Sequence, residues 1–314
     1  MFAAGTPPRN WAQCPAVATI QTSEVVYGLG DTHGDYDRLV TLLIGGKLMS
    51  SVPATPQQAV WSGGKSILIV TGDMIDKWKD SLKVIALMRA LTASAASQGG
   101  QIVISAGNHE AEFFQDPQGS KTKEFQSELT AASINPSDVA NGTDSQGIGK
   151  FLLCLPFASQ ANGWFFSHAG STSGRTMTQL IADIQKGLDS DGYGTNVLLG
   201  KYGLLEARMK PPWWEKSDDT PTQSIARLQG YADALGAQHI VFGHQPGTYV
   251  FNNGTTRKKG TLFTNFSGLV FLFDLGMSRG VDYSKGGLLR IAGTGSQQTA
   301  TEILPDGTQK QVWP

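Results

Sequence analysis

The chain reads as an α/β protein. Short apolar runs alternate with longer amphipathic stretches, and the first three runs are linked strand–helix–strand–helix–strand. The turns after these runs repeatedly combine glycine with Asp, His or Asn, at the strand ends where α/β sheets place ligands. With 314 residues, the chain is within reach of one large domain.

The elements follow in order. Residues 1–23 are rich in Pro and Ala and read as an irregular segment; residues 24–314 read as a single domain. Glu24 to Gly30 (EVVYGLG) is a buried strand, with a helix from about Tyr36 to Met49. Ser66 to Thr71 (SILIVT) is a second strand. Lys79 to Ala96 places Val84, Leu87, Met88, Leu91 and Ala95 on one helical face. Ile102 to Ser105 is a third strand. Residues 112–150 are polar and turn-rich, and read as an insertion or lid. Gly163 to Ser167 (GWFFS) is a fourth strand and Thr176 to Gly187 a helix. Residues 187–222 read as irregular around Pro211-Pro212-Trp213-Trp214. Ile225 to Leu235 is a helix leading into the strand His239 to Phe242. Leu262 to Leu275 and Gly287 to Ala292 then read as successive strands, and no linker divides the chain.

Composition narrows the function. Hydrophobic residues make up 40%, enough for a sizeable core, and charged residues only 16%. Lys and Arg total 25 against 26 for Asp and Glu, so the net charge is −1. Such a chain has no global pull toward nucleic acid or anionic lipid, and a charged ligand must be held locally. No apolar run approaches the roughly 20 residues of a membrane span. Met1 to Ile20 lacks a basic end followed by an apolar stretch, so no intact secretory signal is expected. Low charge with abundant Gly, Ser, Thr, Gln and Asn leans toward export, to the periplasm or beyond, after removal of an upstream signal; the cytoplasm is the alternative. Cys14 and Cys154 are too far apart in sequence for a Cys-rich zinc site or a C-x-x-C pair. The default expectation is two free buried thiols. A disulfide between them is the alternative, closing a long loop.

The turns carry the chemistry. Gly30-Asp31-Thr32-His33-Gly34 follows the first strand, Gly72-Asp73-Met74-Ile75-Asp76 the second and Gly107-Asn108-His109-Glu110 the third. His168-Ala169-Gly170 follows the fourth, and Gly243-His244 the strand at 239–242. Four of the five histidines stand in these turns; only His239 does not, and it is expected to pack at a strand start. A lone histidine is more often structural than a ligand, but that account does not cover four at equivalent strand ends.

Carboxylates, imidazoles and one carboxamide, with no thiolate, suit Mn, Fe, Zn or Mg. Two divalent ions about 3.5–4 Å apart need a shared carboxylate, and Asp73 is the natural bridge. Such a pair makes hydroxide available near neutral pH and neutralises phosphate oxygens. A departing alkoxide needs a proton, which His109 supplies if Asp76 orients its imidazole.

Taken together and in this order, the five motifs resemble the calcineurin-like metallophosphoesterase superfamily. Gly107-Asn108-His109-Glu110 and the Gly243-His244-Gln245-Pro246 ending are most similar to the phosphoprotein phosphatase branch. Gly276-Met277-Ser278-Arg279-Gly280 further resembles the bacterial Shewanella-like phosphatases. The resemblance runs from Gly28 to about Gly280. It implies a four-layer sandwich, two packed mixed β-sheets flanked by helices. It implies that Asp31, His33 and Asp73 hold one metal ion and that Asp73, Asn108, His168 and His244 hold the other, with Mn the first expectation. It also implies that His109 with Asp76 forms the general acid pair.

The chain departs from the family where phosphate is held. Lys77 stands where the family usually has an arginine after the second-motif aspartate, keeping the charge and losing the bidentate fork. Trp214-Glu215-Lys216 is the expected counterpart of a Trp-x-Arg segment in relatives. Asn108, Lys77, Arg175 and Arg208 are the candidate phosphate-binding residues. The expected function is a binuclear metal-dependent phosphatase acting on phosphate monoesters, in small molecules or on Ser, Thr or Tyr of proteins. Hydrolysis of dinucleoside polyphosphates or other phosphoanhydrides is the alternative, and a non-catalytic scaffold a more distant one.

Overall fold

The computed structural model describes residues 9–314. Within them, fourteen strands form two six-stranded mixed sheets and a small ribbon. Strands β1 (Val17–Ile20), β5 (Ala158–Ala161), β6 (Trp164–Ser167), β7 (His239–Phe242), β11 (Val270–Leu272) and β10 (Phe263–Asn265) lie side by side in the first sheet. The second runs β14 (Gln309–Trp313), β13 (Thr299–Ile303), β12 (Leu288–Ala292), β2 (Val26–Leu29), β3 (Ile67–Val70) and β4 (Gln101–Ile104). Strands β8 (Tyr249–Val250) and β9 (Thr256–Arg257) form the ribbon, apart from both sheets.

Nine α-helices accompany them among the described residues: α1 (Tyr36–Gly45), α2 (Ser81–Ser97), α3 (Asn108–Gln115), α4 (Lys123–Ala131), α5 (Pro136–Ala140), α6 (Ile148–Leu153), α7 (Met177–Asp191), α8 (Asn196–Leu199) and α9 (Pro221–Ala234). None is long and apolar enough to cross a membrane.

Strand β3 shows why the layers stack. Its sequence Ile67-Leu68-Ile69-Val70 is buried on both faces, as expected for a central parallel strand. Ile67 and Ile69 join Val26, Val103, Trp164, Phe166, Val241 and Phe271 in an apolar cluster drawn from both sheets. Leu68 and Val70 point the other way, into a second cluster with Val84, Leu87, Met88 and Leu91 of α2. The period-2 alternation of the strand thus packs one face on a sheet and the other on a helix. The expected sandwich of two mixed sheets flanked by helices is the architecture found.

Three expectations are corrected. The N-terminal segment is not wholly irregular, because Val17–Ile20 pairs in parallel with β5 at the sheet edge. Four residues with one polar member are too few to show a period. The cysteines are not free thiols: Cys14 and Cys154 form a disulfide across 140 residues of sequence, tying the approach to β1 to the end of α6. Residues 112–150 are not mainly turns. They fold mainly as helices whose Phe113, Phe125, Leu129, Val139 and Leu152 are buried in the main core.

The stretch from Leu262 to Leu275 also differs, forming two antiparallel strands rather than one. Phe266, Ser267 and Gly268 all have positive φ, which turns the chain back between them.

Candidate active site

The parallel strands β2, β3 and β4 of one sheet and β6 and β7 of the other end at a common edge. Each releases one motif there. A hydrogen bond joins the two sheets at this edge: His244 N donates to Asp31 Oδ2 at 3.0 Å.

The turns are tightly wound. His33, Asp73, Asp76, Lys77 and His244 all have positive φ, a conformation costly for residues with a Cβ. Glu110 holds much of this in place. Its buried carboxylate accepts from the backbone N–H groups of Asp73, Met74, Ile75 and Gly107 at 3.0, 2.8, 3.2 and 2.7 Å. The bond to Gly107 is that of a third helical residue reaching back to the N-cap of α3. A side chain at Gly107 would overlap Asp73 Oδ1, so glycine is required at this crossing.

Four ligand-type atoms converge in the interior. His168 Nε2 lies 2.9 Å from Asn108 Oδ1, 3.0 Å from His244 Nδ1 and 3.3 Å from Asp73 Oδ2. Asn108 is oriented by Glu112, whose Oε2 accepts from Asn108 Nδ2 at 3.3 Å, leaving Oδ1 facing inward. On the other side of Asp73, its Oδ2 is 3.5 Å from His33 Nε2. His33 Nδ1 lies 3.3 Å from Ile75 O. A carbonyl only accepts, so Nδ1 carries the proton and Nε2 presents its lone pair. Asp73, His33 and His109 form one group able to hold a metal ion, and Asp73, His168 and His244 another. Asp73 belongs to both.

Asp31 stands beside these groups. Its Oδ2 is taken by His244 N, while its Oδ1 is buried without a hydrogen-bond partner and lies 3.9 Å from His168 Nδ1. A buried carboxylate oxygen with no donor fits a cation ligand. The donor set, carboxylate, imidazole and carboxamide, is also that of a divalent-metal site.

The charges of the cluster are interdependent. Burial pushes Asp31 well above the usual carboxylate range, reinforced by neighbouring Asp274. Burial opposes ionisation of Asp73 too, but His168 and His109 outweigh it and hold Asp73 well below that range. Burial likewise disfavours charged His168, yet Asp73 and Asp31 raise it to about 9. His33 is pushed down to about 3 by burial, with Lys77 and His109 adding repulsion. His244 is held low by burial, His168 and Arg208.

His109 is placed differently. Its Nδ1 is 3.0 Å from Asp76 Oδ2, an ion-pair contact off the linear hydrogen-bond direction. Burial works against the charged ring, but Asp73 and Asp76 raise its pKa above the ordinary value.

The expected phosphate-binding residues separate. Lys77 Nζ is 3.1 Å from His33 Nε2, and Arg208 lines the same cavity as Lys77 and His244. Arg175 is instead engaged by Asp183 at 2.6 Å and by Thr172 O. Trp214-Glu215-Lys216 lies apart as well: Trp214 is buried against Phe251 and Phe266, and Lys216 N donates to Asp219.

Two further residues, Gln245 and Glu206, have a place at the site that the sequence pattern does not assign. Gln245, next to His244, donates to Ala207 O and accepts from Met209 N, both at 3.0 Å, bracketing Arg208. Glu206 binds Arg208 through Oε1, and its Oε2 is 3.8 Å from His244 Nε2. The only local signal was Gln245's position beside a candidate ligand.

The chain is similar to several known proteins. The chain is 30% identical over 263 residues to an uncharacterized protein of Schizosaccharomyces pombe, covering 80% of this chain and 75% of that one. It is 31% identical over 87 residues to Shewanella-like protein phosphatase 2 of Arabidopsis thaliana, 28% of this chain and 21% of that one. Its fold is similar to the cold-active protein-tyrosine phosphatase of a psychrophilic Shewanella species, with a TM-score of 0.70 at 20% identity over 95% of this chain and 82% of that chain. A protein serine/threonine phosphatase from Saccharomyces cerevisiae is similar at a TM-score of 0.56 and 14% identity, over 97% of this chain and 85% of that chain. The sequence pattern of the calcineurin-like phosphoesterases matches residues 25–248. That span contains the whole cluster from Asp31 to His244, and the chain belongs to the calcineurin-like phosphoesterase family.

Proposed function

We propose that the protein is a phosphatase that holds two divalent metal ions and hydrolyses phosphate monoesters, including phosphorylated side chains of proteins. The observation that carries this reading is the pair of ligand groups sharing Asp73. Asp31, which stands outside both groups with an unpartnered Oδ1, would join His33 and Asp73 around one ion and leave His109 free to act as the acid; Asp73, Asn108, His168 and His244 would hold the other. Two such ions supply Lewis-acid charge for phosphate oxygens and a water that deprotonates near neutral pH. Mn is the first candidate, and this ligand set also accepts Fe, Zn or Mg.

The remaining roles belong to the chain. Lys77 and Arg208 present positive charge beside His33 and His244, where phosphate oxygens would lie. Asn108 borders the same space. Arg175 would join them only by leaving Asp183. His109, with its raised pKa, donates a proton to the leaving oxygen while Asp76 steadies the charged ring. The phosphatases among the similar proteins support a monoester substrate.

The test is hydrolysis of an aryl phosphate by chelator-treated protein, before and after adding Mn²⁺, beside His109→Ala. Turnover restored by metal and weakened in the variant is expected. No turnover with any divalent metal overturns the reading. Cleavage of a dinucleoside tetraphosphate alone moves the substrate to the phosphoanhydrides.

A further inference from the structure

We propose that the site takes a phosphorylated residue of a polypeptide whose two flanks differ in charge, acidic on one side and basic on the other. This rests on the phosphatase reading above and names its substrate class. Two open cavities meet at the candidate active site. One, about 690 Å³, is lined by Lys77, Arg208 and Lys210, with Tyr249 and Tyr283 in its wall and no carboxylate. The other, about 740 Å³, is lined by Glu112, Asp116 and Glu206, with Lys121 as its one cation. Lys121 is paired with Glu112 at 3.2 Å and Arg208 with Glu206 at 2.5 Å, so the charges outside ion pairs are Lys77 and Lys210 in the basic arm and Asp116 in the acidic one.

The arms abut at His244 and Glu206. His244 lines the basic arm, Glu206 lines the acidic arm, and their side chains are 3.8 Å apart. The polarity is also backed structurally. Lys210 Nζ sits over the Tyr249 ring at 5.8 Å, and Lys259 Nζ over the Tyr283 ring at 4.7 Å. The nearby acid Asp282 is committed to Arg38 at 2.6 Å and does not offset these cations.

Size argues for a chain rather than a free phosphate. Each arm falls in the range of about 300–1,000 Å³ that takes a drug-sized ligand, far more than one phosphate needs. Opposite charges in the two arms then discriminate by attraction on one flank and by repulsion of the reversed order.

The test compares phosphopeptides in the Mn²⁺-loaded enzyme. One carries three glutamates before the phosphorylated residue and three lysines after it; the other reverses the order. Phosphotyrosine and phosphoserine versions are both used, beside an aryl phosphate. One order should exceed the other in kcat/KM by about tenfold at low salt, and the gap should shrink at high salt. Lys210 and Asp116 are exposed, so the double variant Lys210→Glu with Asp116→Lys should fold and invert the preference. Equal turnover of the two orders, or a preference untouched by the double variant, overturns the proposal. Hydrolysis of the aryl phosphate without any peptide overturns it while leaving the phosphatase reading intact. Hydrolysis of neither removes that reading and this proposal with it.

Discussion

His109 Nδ1 lies 3.0 Å from Asp76 Oδ2, while Asp76 Oδ1 accepts from the backbone N–H groups of Glu124 and Phe125 at 3.0 and 3.2 Å. The carboxylate is therefore anchored to the start of α4 and cannot follow a drifting imidazole. Asp76→Asn should lower kcat by about 10²–10³ with little change in metal content. Protonation of the leaving group matters most when that group is basic. The loss should therefore deepen along a series of phosphate esters with poorer leaving groups, measured by steady-state kinetics. A loss independent of leaving group would remove His109 from the role of acid.

Glu110 gathers four backbone N–H groups from two motif turns. Glu110→Gln replaces a charged acceptor by an amide that brings two donors of its own, which must face those N–H groups. The expected cost is about 2–3 kcal/mol of folding stability by chemical denaturation. Metal content by elemental analysis should fall too, because Asp73 sits in the turn that Glu110 braces. Unchanged stability and occupancy would show that the turns hold without it.

Legibility differed between these features for physical reasons. Asp31, Asp73, Asn108, His168 and His244 stood out because each follows an apolar run and has a glycine nearby, so local pattern located them. On the phosphate side only Lys77, next to Asp76, is fixed by local pattern. Trp214-Glu215-Lys216 matched a short pattern, but Trp214 went to an aromatic core; Arg208 reached the site through bonds spanning 38 and 36 residues of sequence. Such contacts leave no local period. The same holds for β14, whose sequence Gln-Lys-Gln-Val-Trp is largely exposed and carries no apolar alternation. The disulfide joins residues 140 apart, a pairing that spacing alone does not dictate.

Gln245 links a candidate metal ligand to a candidate phosphate clamp. Its carboxamide makes three hydrogen bonds, with Tyr249 Oη donating to Oε1 at 2.7 Å in addition to the bonds to Ala207 and Met209. Gln245→Leu keeps the volume and removes the bracket around Arg208. KM for a phosphate monoester should rise severalfold while metal content stays near normal. A variant with unchanged KM would show that Arg208 is positioned by Glu206 alone.

Cys14 and Cys154 secure the chain just before β1. Closing a loop of this length stabilises by up to about 5 kcal/mol in the chain-entropy account. The paired substitutions Cys14→Ser and Cys154→Ser should lower stability by a few kcal/mol and expose the β1 edge to limited proteolysis. Arg9 donates to the carbonyls of Cys14, Leu153 and Leu155 at 2.8, 2.7 and 2.7 Å and forms a second tether at the same place. The serine variant should therefore lose more when combined with Arg9→Ala than either change costs alone.

His239, the histidine outside the motifs, gives a pH dependence unconnected with metal. Its ring stacks on Trp164 at 3.9 Å, and Nδ1 donates to Gly268 O at 2.7 Å. Burial lowers its pKa below the ordinary value, with the Gly268 bond opposing that shift in part. The unfolded chain then takes up a proton near pH 6.5, before the folded protein does. Stability should consequently be complete above that pH and decline as the pH falls toward the folded pKa. The slope is at most about 1.4 kcal/mol per pH unit, that of one proton. Urea denaturation between pH 5 and pH 8 measures it. His239→Gln should flatten this part of the profile even if it lowers stability throughout. A slope unchanged in that variant would assign the dependence to another group.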